Sequence, residues 1–128
     1  MKYTDIKTFE DACKVEGLDP EKVLPDFSCY PEQDRKAMTA HAKLVIIARA
    51  LNRQANEGKE WRADFTNWDQ YKYVPWLYIP RGSSGFRFYV CVGWRTYSRV
   101  GSRLCYISRK VADYAATQFI DLYNEYFL

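Results

Sequence analysis

An α+β fold is predicted by the order of periodicities along the chain. Apolar residues recur at helical spacing through the N-terminal half, alternate in twos through the aromatic middle, and return to helical spacing at the end. The expected architecture is N-terminal helices, a central antiparallel β-meander of about three strands, and a C-terminal helix packed on the sheet. A chain of 128 residues can bury one core, so residues 1–128 are read as a single α+β domain.

In "TDIKTFEDACKVEG", Thr4 or Asp5 precedes Ile6, Phe9 and Cys13, and Gly17 stands where a left-handed residue ends a short helix. Asp19 followed by Pro20 reads as an N-cap with proline in the first turn, a brief helical turn that Pro25 closes. "PEQDRKAMTAHAKLVIIARALNRQANEG" carries the strongest signal. Ala37, His41, Leu44, Ala48, Leu51 and Ala55 form one stripe flanked by Val45 and Ile47, and Gly58 follows. Ile46 lies off that stripe, so the helix is expected to touch structure on a second side.

From Trp61 the residues turn aromatic and β-branched, and a strand is expected near Tyr71 to Ile79, with Pro75 marking an edge or a break. "RGSSG" is a turn. In "FRFYVCVGW", Phe86, Phe88, Val90, Val92 and Trp94 alternate with Arg87, Tyr89, Cys91, Gly93 and Arg95, which predicts a strand with one polar face. "RLCYI" is read as the next strand, and Ser108 as the N-cap of a last helix with a stripe of Val111, Tyr114, Ala115, Gln118, Phe119, Leu122 and Tyr126.

Composition narrows the function. Hydrophobic residues make up 48% and charged residues 27%, as in folded proteins, so extensive disorder is excluded. No run of apolar residues is long enough for a membrane span, and the charged N-terminus lacks the apolar stretch of a signal peptide, so a soluble, cytoplasmic protein is expected. Cys13, Cys29, Cys91 and Cys105 have none of the spacings of a zinc site or redox pair, and reduced thiols are expected of them.

"FEDACKVEGLDPEKVLPDFS", "DRKAMTAHAKLVIIARALN", "SSGFRF" and "VGSRLCYISRKVADYAATQFIDLY" resemble a group of small uncharacterised proteins of Bacteroidales phages and prophages. The resemblance implies a phage-type accessory protein, acting in the host bacterial cytoplasm or on the virion. It brings no assigned activity, so the chemistry must come from the residues.

His41 is the one histidine and sits on an apolar helical stripe, a place for a core histidine rather than a catalytic one. Asp11, Glu16, Asp113, Asp121 and Glu125 are placed on helices, where solvated faces outweigh acid–base or metal chemistry. "RGSSGF" only weakly echoes a phosphate-cradling loop, and no cofactor or metal motif is present. A non-enzymatic protein without cofactor is favoured.

The charge distribution is more informative. Residues 81–110 hold six Arg and one Lys and no Asp or Glu, although the chain has 16 acids elsewhere. Arginine binds phosphate bidentately and stacks on bases, and arginine with aromatic residues on strands is a surface that single-stranded nucleic-acid binders use. The candidate ligand-binding residues are Arg81, Arg87, Tyr89, Trp94, Arg95, Tyr97, Arg99 and Arg103, with Arg87 and Arg95 on one outward face and Gly93 leaving a gap between them. The expected ligand is nucleic acid or a phosphate-bearing nucleotide. The alternative is a protein-interaction module, an inhibitor of a host factor or a virion accessory, that meets an acidic host or phage protein. Internal pairing of the arginines with the acidic C-terminal helix is left open, as is a homodimer; a membrane partner is not expected.

Overall fold

A computed structural model of the chain describes residues 1–94 and 103–128, the side chains of 91–94 excepted. The first regular helix, α1 (Phe9–Glu16), starts at Thr8 rather than at Thr4 or Asp5, which lie in a single 3-10 turn. The reason is a reciprocal cap: Thr8 Oγ1 accepts from Asp11 N (3.1 Å), and Asp11 Oδ2 accepts from Thr8 N (3.2 Å) and Lys7 N (3.0 Å). Gly17, at φ 70°, ends the helix in the left-handed conformation. The next turn is held by Asp19, whose carbonyl accepts from Lys22 N and Val23 N and whose Oδ1 accepts from Glu21 N.

α2 (Glu32–Ala55) is the centre of the fold. Leu44, Ile47, Ala48 and Leu51 are buried as the stripe predicts, and Ile46 is buried too, because α2 adjoins α1 as well as the C-terminal helices. Ala37 and His41 are only half-buried at its solvent end. Most of the core is helical: Ile6, Phe9, Leu44, Ile47, Leu51, Val111, Ala115, Phe119 and Tyr123 pack together, with Leu104 and Tyr106 joining them and Tyr73 and Leu77 of the sheet at the margin.

β1 (Lys72–Tyr78) and β2 (Arg87–Trp94) form an antiparallel hairpin. Tyr73 exchanges both backbone bonds with Tyr106 on the side of β1 away from β2 (3.1 and 2.8 Å). Since N–H directions alternate along a strand, Pro75 turns its nitrogen to that same outer side, and its missing donor removes nothing from the ladder with β2. Among the described residues the sheet has two strands where a meander of about three was expected, and the Tyr73–Tyr106 bridge is an isolated pairing on the edge of β1 away from β2.

The C-terminal helix is two helices, α3 (Arg109–Gln118) and α4 (Ile120–Phe127). Ser108 caps α3 as expected, its Oγ accepting from Val111 N. The break at Phe119 (φ −111°, ψ 28°) turns the apolar face, so that Ala112, Ala116 and Tyr123 are buried while Gln118 is exposed and donates to Lys7 O (2.9 Å). α3 adjoins both strands, and the Arg109 guanidinium lies 5.5 Å from the Tyr73 ring centroid.

Between α2, the hairpin and α4 lies a seam of weak acids. The Tyr106 and Tyr123 hydroxyls are hydrogen-bonded at 2.7 Å in the interior. Burial pushes the Cys105 thiol from an ordinary 9.0 up to about 11, and burial followed by the neighbouring Tyr123 raises the Tyr106 hydroxyl well above 10.0. An unfolded thiol ionises near 9.0 while the folded one keeps its proton, so this stability is complete below pH 9 and is lost as pH rises towards 11. Two pH units correspond to about 3 kcal/mol. Urea unfolding between pH 8 and 10.5 is expected to show a falling midpoint, shallower between pH 9 and 10 in Cys105→Ala; a flat wild-type profile would contradict the assignment.

Candidate functional site

The outward face of the hairpin is built by one extra residue. Trp76 pairs with Val90 and Leu77 with Phe88, leaving Tyr89 as a bulge in β2. The bulge brings both Tyr89 and Val90 out to solvent, while Phe88 stays half-buried opposite Leu77. On β1, Trp76 and Tyr78 share this face by alternation, and Arg87 is opposite Tyr78. The Trp76 side is 55% exposed and Tyr89 65%, and the Tyr78 and Tyr89 rings meet edge-to-face at 5.5 Å.

This corrects the strict alternation read from the sequence. Val90 was expected inward and is exposed. By register Cys91 and Gly93 fall opposite Pro75 and Tyr73, whose side of β1 faces the core. Gly93 is therefore not on the face of Trp76, and Arg95, its expected neighbour, lies outside the described residues. Trp76 and Tyr78 were missed, because in "YVPWLY" both alternating sets are apolar or aromatic and only the register chooses between them.

Of the eight candidate residues, Arg81, Arg87, Tyr89 and Arg103 are described and all four are exposed. Arg81, in the hairpin turn, and Arg87, at the start of β2, lie at the same end of the hairpin. Trp94, paired with Lys72, is at the other end, about 23 Å away along the strand. The Trp94 side chain, Arg95, Tyr97 and Arg99 lie outside the described residues. Among the described residues no ion pair engages Arg81, Arg87 or Arg103, and the ion pair of the acidic C-terminal helix goes to Lys36 from Glu125 (3.7 Å).

Three amides of the turn are engaged within the fold. Ser83 N donates to Pro80 O (2.9 Å), Gly85 N to Ser83 Oγ (3.3 Å) and Phe86 N to Asn124 Oδ1 of α4. Asn124 Nδ2 donates back to Phe86 O (3.3 Å), so one side-chain amide fastens the hairpin to α4. Gly85 permits that approach, because a Cβ there would sit 3.3 Å from Asn124 Oδ1.

The other candidates for chemistry are occupied structurally. Asp11 caps α1, and Glu16 accepts two bonds from Arg53 (both 3.2 Å). The His41 ring lies 4.6 Å from that of Tyr126. Lys72 is fully buried beneath the 64–70 loop, its Nζ donating to Asn67 O (2.8 Å) and lying 5.6 Å from the Phe65 ring centroid. Cys13 and Cys105 are buried thiols and Cys29 an exposed one. Among the described residues no group of three or more His, Cys, Asp or Glu side chains could hold a metal ion, and no helix is long and apolar enough to cross a membrane. No family model matches the chain, and no curated protein or solved structure matches it.

Proposed function

We propose that the protein binds nucleic acid or a phosphate-bearing nucleotide ligand through the arginine and aromatic face of its hairpin, as an accessory protein of a phage or prophage in the host cytoplasm or on the virion. The observation that carries this reading is the exposure of Arg87 beside Trp76, Tyr78 and Tyr89, with no ion pair on Arg87 among the described residues. Phosphate would be met by guanidinium groups and bases by ring faces. In this reading the expected third strand runs through Tyr106 beside β1, α3 backs the sheet, and Arg103 adds to the basic surface.

Fluorescence anisotropy with labelled oligonucleotides and common nucleotides at low salt is the test. If about four arginines each neutralise one phosphate of a single strand, log affinity falls against log salt with a slope of roughly −3. Arg87→Glu combined with Arg95→Glu is expected to abolish binding with the helical circular dichroism spectrum unchanged. Absence of binding at high micromolar protein would favour the second reading, a protein-interaction surface without nucleic-acid binding. That reading has its own support in Ile79 and Val90, aliphatic side chains exposed next to the aromatic ones.

A further inference from the structure

Resting on that reading, we infer that the ligand is a single strand with its bases unstacked from one another, one base seated on Trp76 and the next on Tyr89. Among the described residues the two rings are the most exposed on the hairpin face, and they belong to opposite strands. Tyr89 neighbours Val90, the cross-strand partner of Trp76, and the Cβ atoms from which two such side chains rise side by side stand about 5–8 Å apart. That is about twice the 3.4 Å per nucleotide of a duplex strand. Bases lying on both rings are therefore too far apart to stack on each other, and a paired helix cannot supply them without being opened.

The bulge creates this arrangement. In a regular ladder the consecutive Tyr89 and Val90 would take opposite faces, and the outward face would lose either the ring or the shallow aliphatic floor beside it. Tyr78 braces the Tyr89 ring from its edge, which holds one aromatic surface in place and leaves Tyr89 mostly open to solvent. The Trp76 ring has no aromatic partner among the described residues. Arg87, two residues before Tyr89 and opposite Tyr78, is placed to meet a backbone phosphate flanking the second base. The turn end adds the positive charge of Arg81, and no acidic residue occurs from Arg81 to Lys110, so the surface complements a polyanion.

The test uses the full chain with three probes at low salt: a short oligothymidine, a mixed-sequence DNA duplex of the same length, and thymidine monophosphate. The single strand is expected to bind at least tenfold more tightly than either of the others and to quench tryptophan fluorescence. Trp76→Ala and Tyr89→Ala are each expected to weaken it roughly tenfold, the size of one lost base–ring stack. Trp76→Phe is expected to restore most of the affinity while reducing the quenching by the share that Trp76 contributes. Equal affinity for the duplex, or alanine variants that bind as the parent does while Arg87→Glu still weakens binding, would overturn the stacking inference and leave anion binding standing. No binding of any probe would overturn both.

Discussion

Phe119→Ala is expected to lower the unfolding free energy by about 3–5 kcal/mol. The side chain is 5% exposed and stands at the joint of α3 and α4, where its N–H donates to Ala115 O (3.0 Å) and its ring meets that of Tyr114 edge-on at 6.5 Å. Truncation removes the transfer free energy of a benzyl group and leaves a void at a point both helices share, so neither helix can close it alone. The melting temperature is expected to fall by roughly 10–20 °C. Phe119→Leu should lose distinctly less, and an unchanged melt for Phe119→Ala would mean that the joint is not part of the core.

The second large effect is expected at Asn52. Its Nδ2 donates to Cys105 O (2.9 Å) and its Oδ1 accepts from Ile107 N (2.8 Å), so one buried amide on α2 satisfies both sides of the segment that enters α3. Asn52→Ala leaves a carbonyl and an N–H unpaired out of reach of water, each costing about 1–3 kcal/mol. Hydrogen exchange at the Ile107 amide should accelerate along with the global loss of stability. Asn52→Asp gives a sharper check. A carboxylate still accepts from Ile107 but faces the Cys105 carbonyl with an acceptor, whereas the protonated acid can donate to it. Stability of that variant should be highest at acidic pH and fall as pH rises through the raised aspartate value. A variant whose stability rises over that range would show that Asn52 does not hold this segment.

The sequence made the helical parts of this fold legible because their signals are local. Gly17, Ser108 and the stripe through Leu44, Ala48 and Leu51 mark ends and faces within a few residues of where they act. Ile46 announced a second neighbour for α2, though not which one. The start of α1 was misjudged because both Thr4 and Thr8 can cap, and the Asp11 carboxylate that decides between them acts through a bond that composition alone does not rank.

The hairpin face was less legible because register is set between strands rather than within one. Arg87 and Tyr89 were found on the exposed side, but Tyr89 reaches it as an inserted residue and not by the simple alternation that named it. The basic composition of residues 81–110 singled out the strand that carries Arg87 and Tyr89 and gave no sign of Trp76, which lies outside it. Likewise Lys72 reads as a surface lysine in sequence, and its burial depends on a loop folding over it.

The single inserted residue also gives the hairpin a point at which its length can change. β1 spans 7 residues and β2 spans 8, and Tyr89 absorbs the difference. Deleting Tyr89 would let the ladder run without interruption and leave Arg87, Phe88 and Val90 opposite the partners they have now, so the deletion would take one ring from the outward face and turn no other side chain over. This face is therefore open to a change of length at one point as well as to substitution.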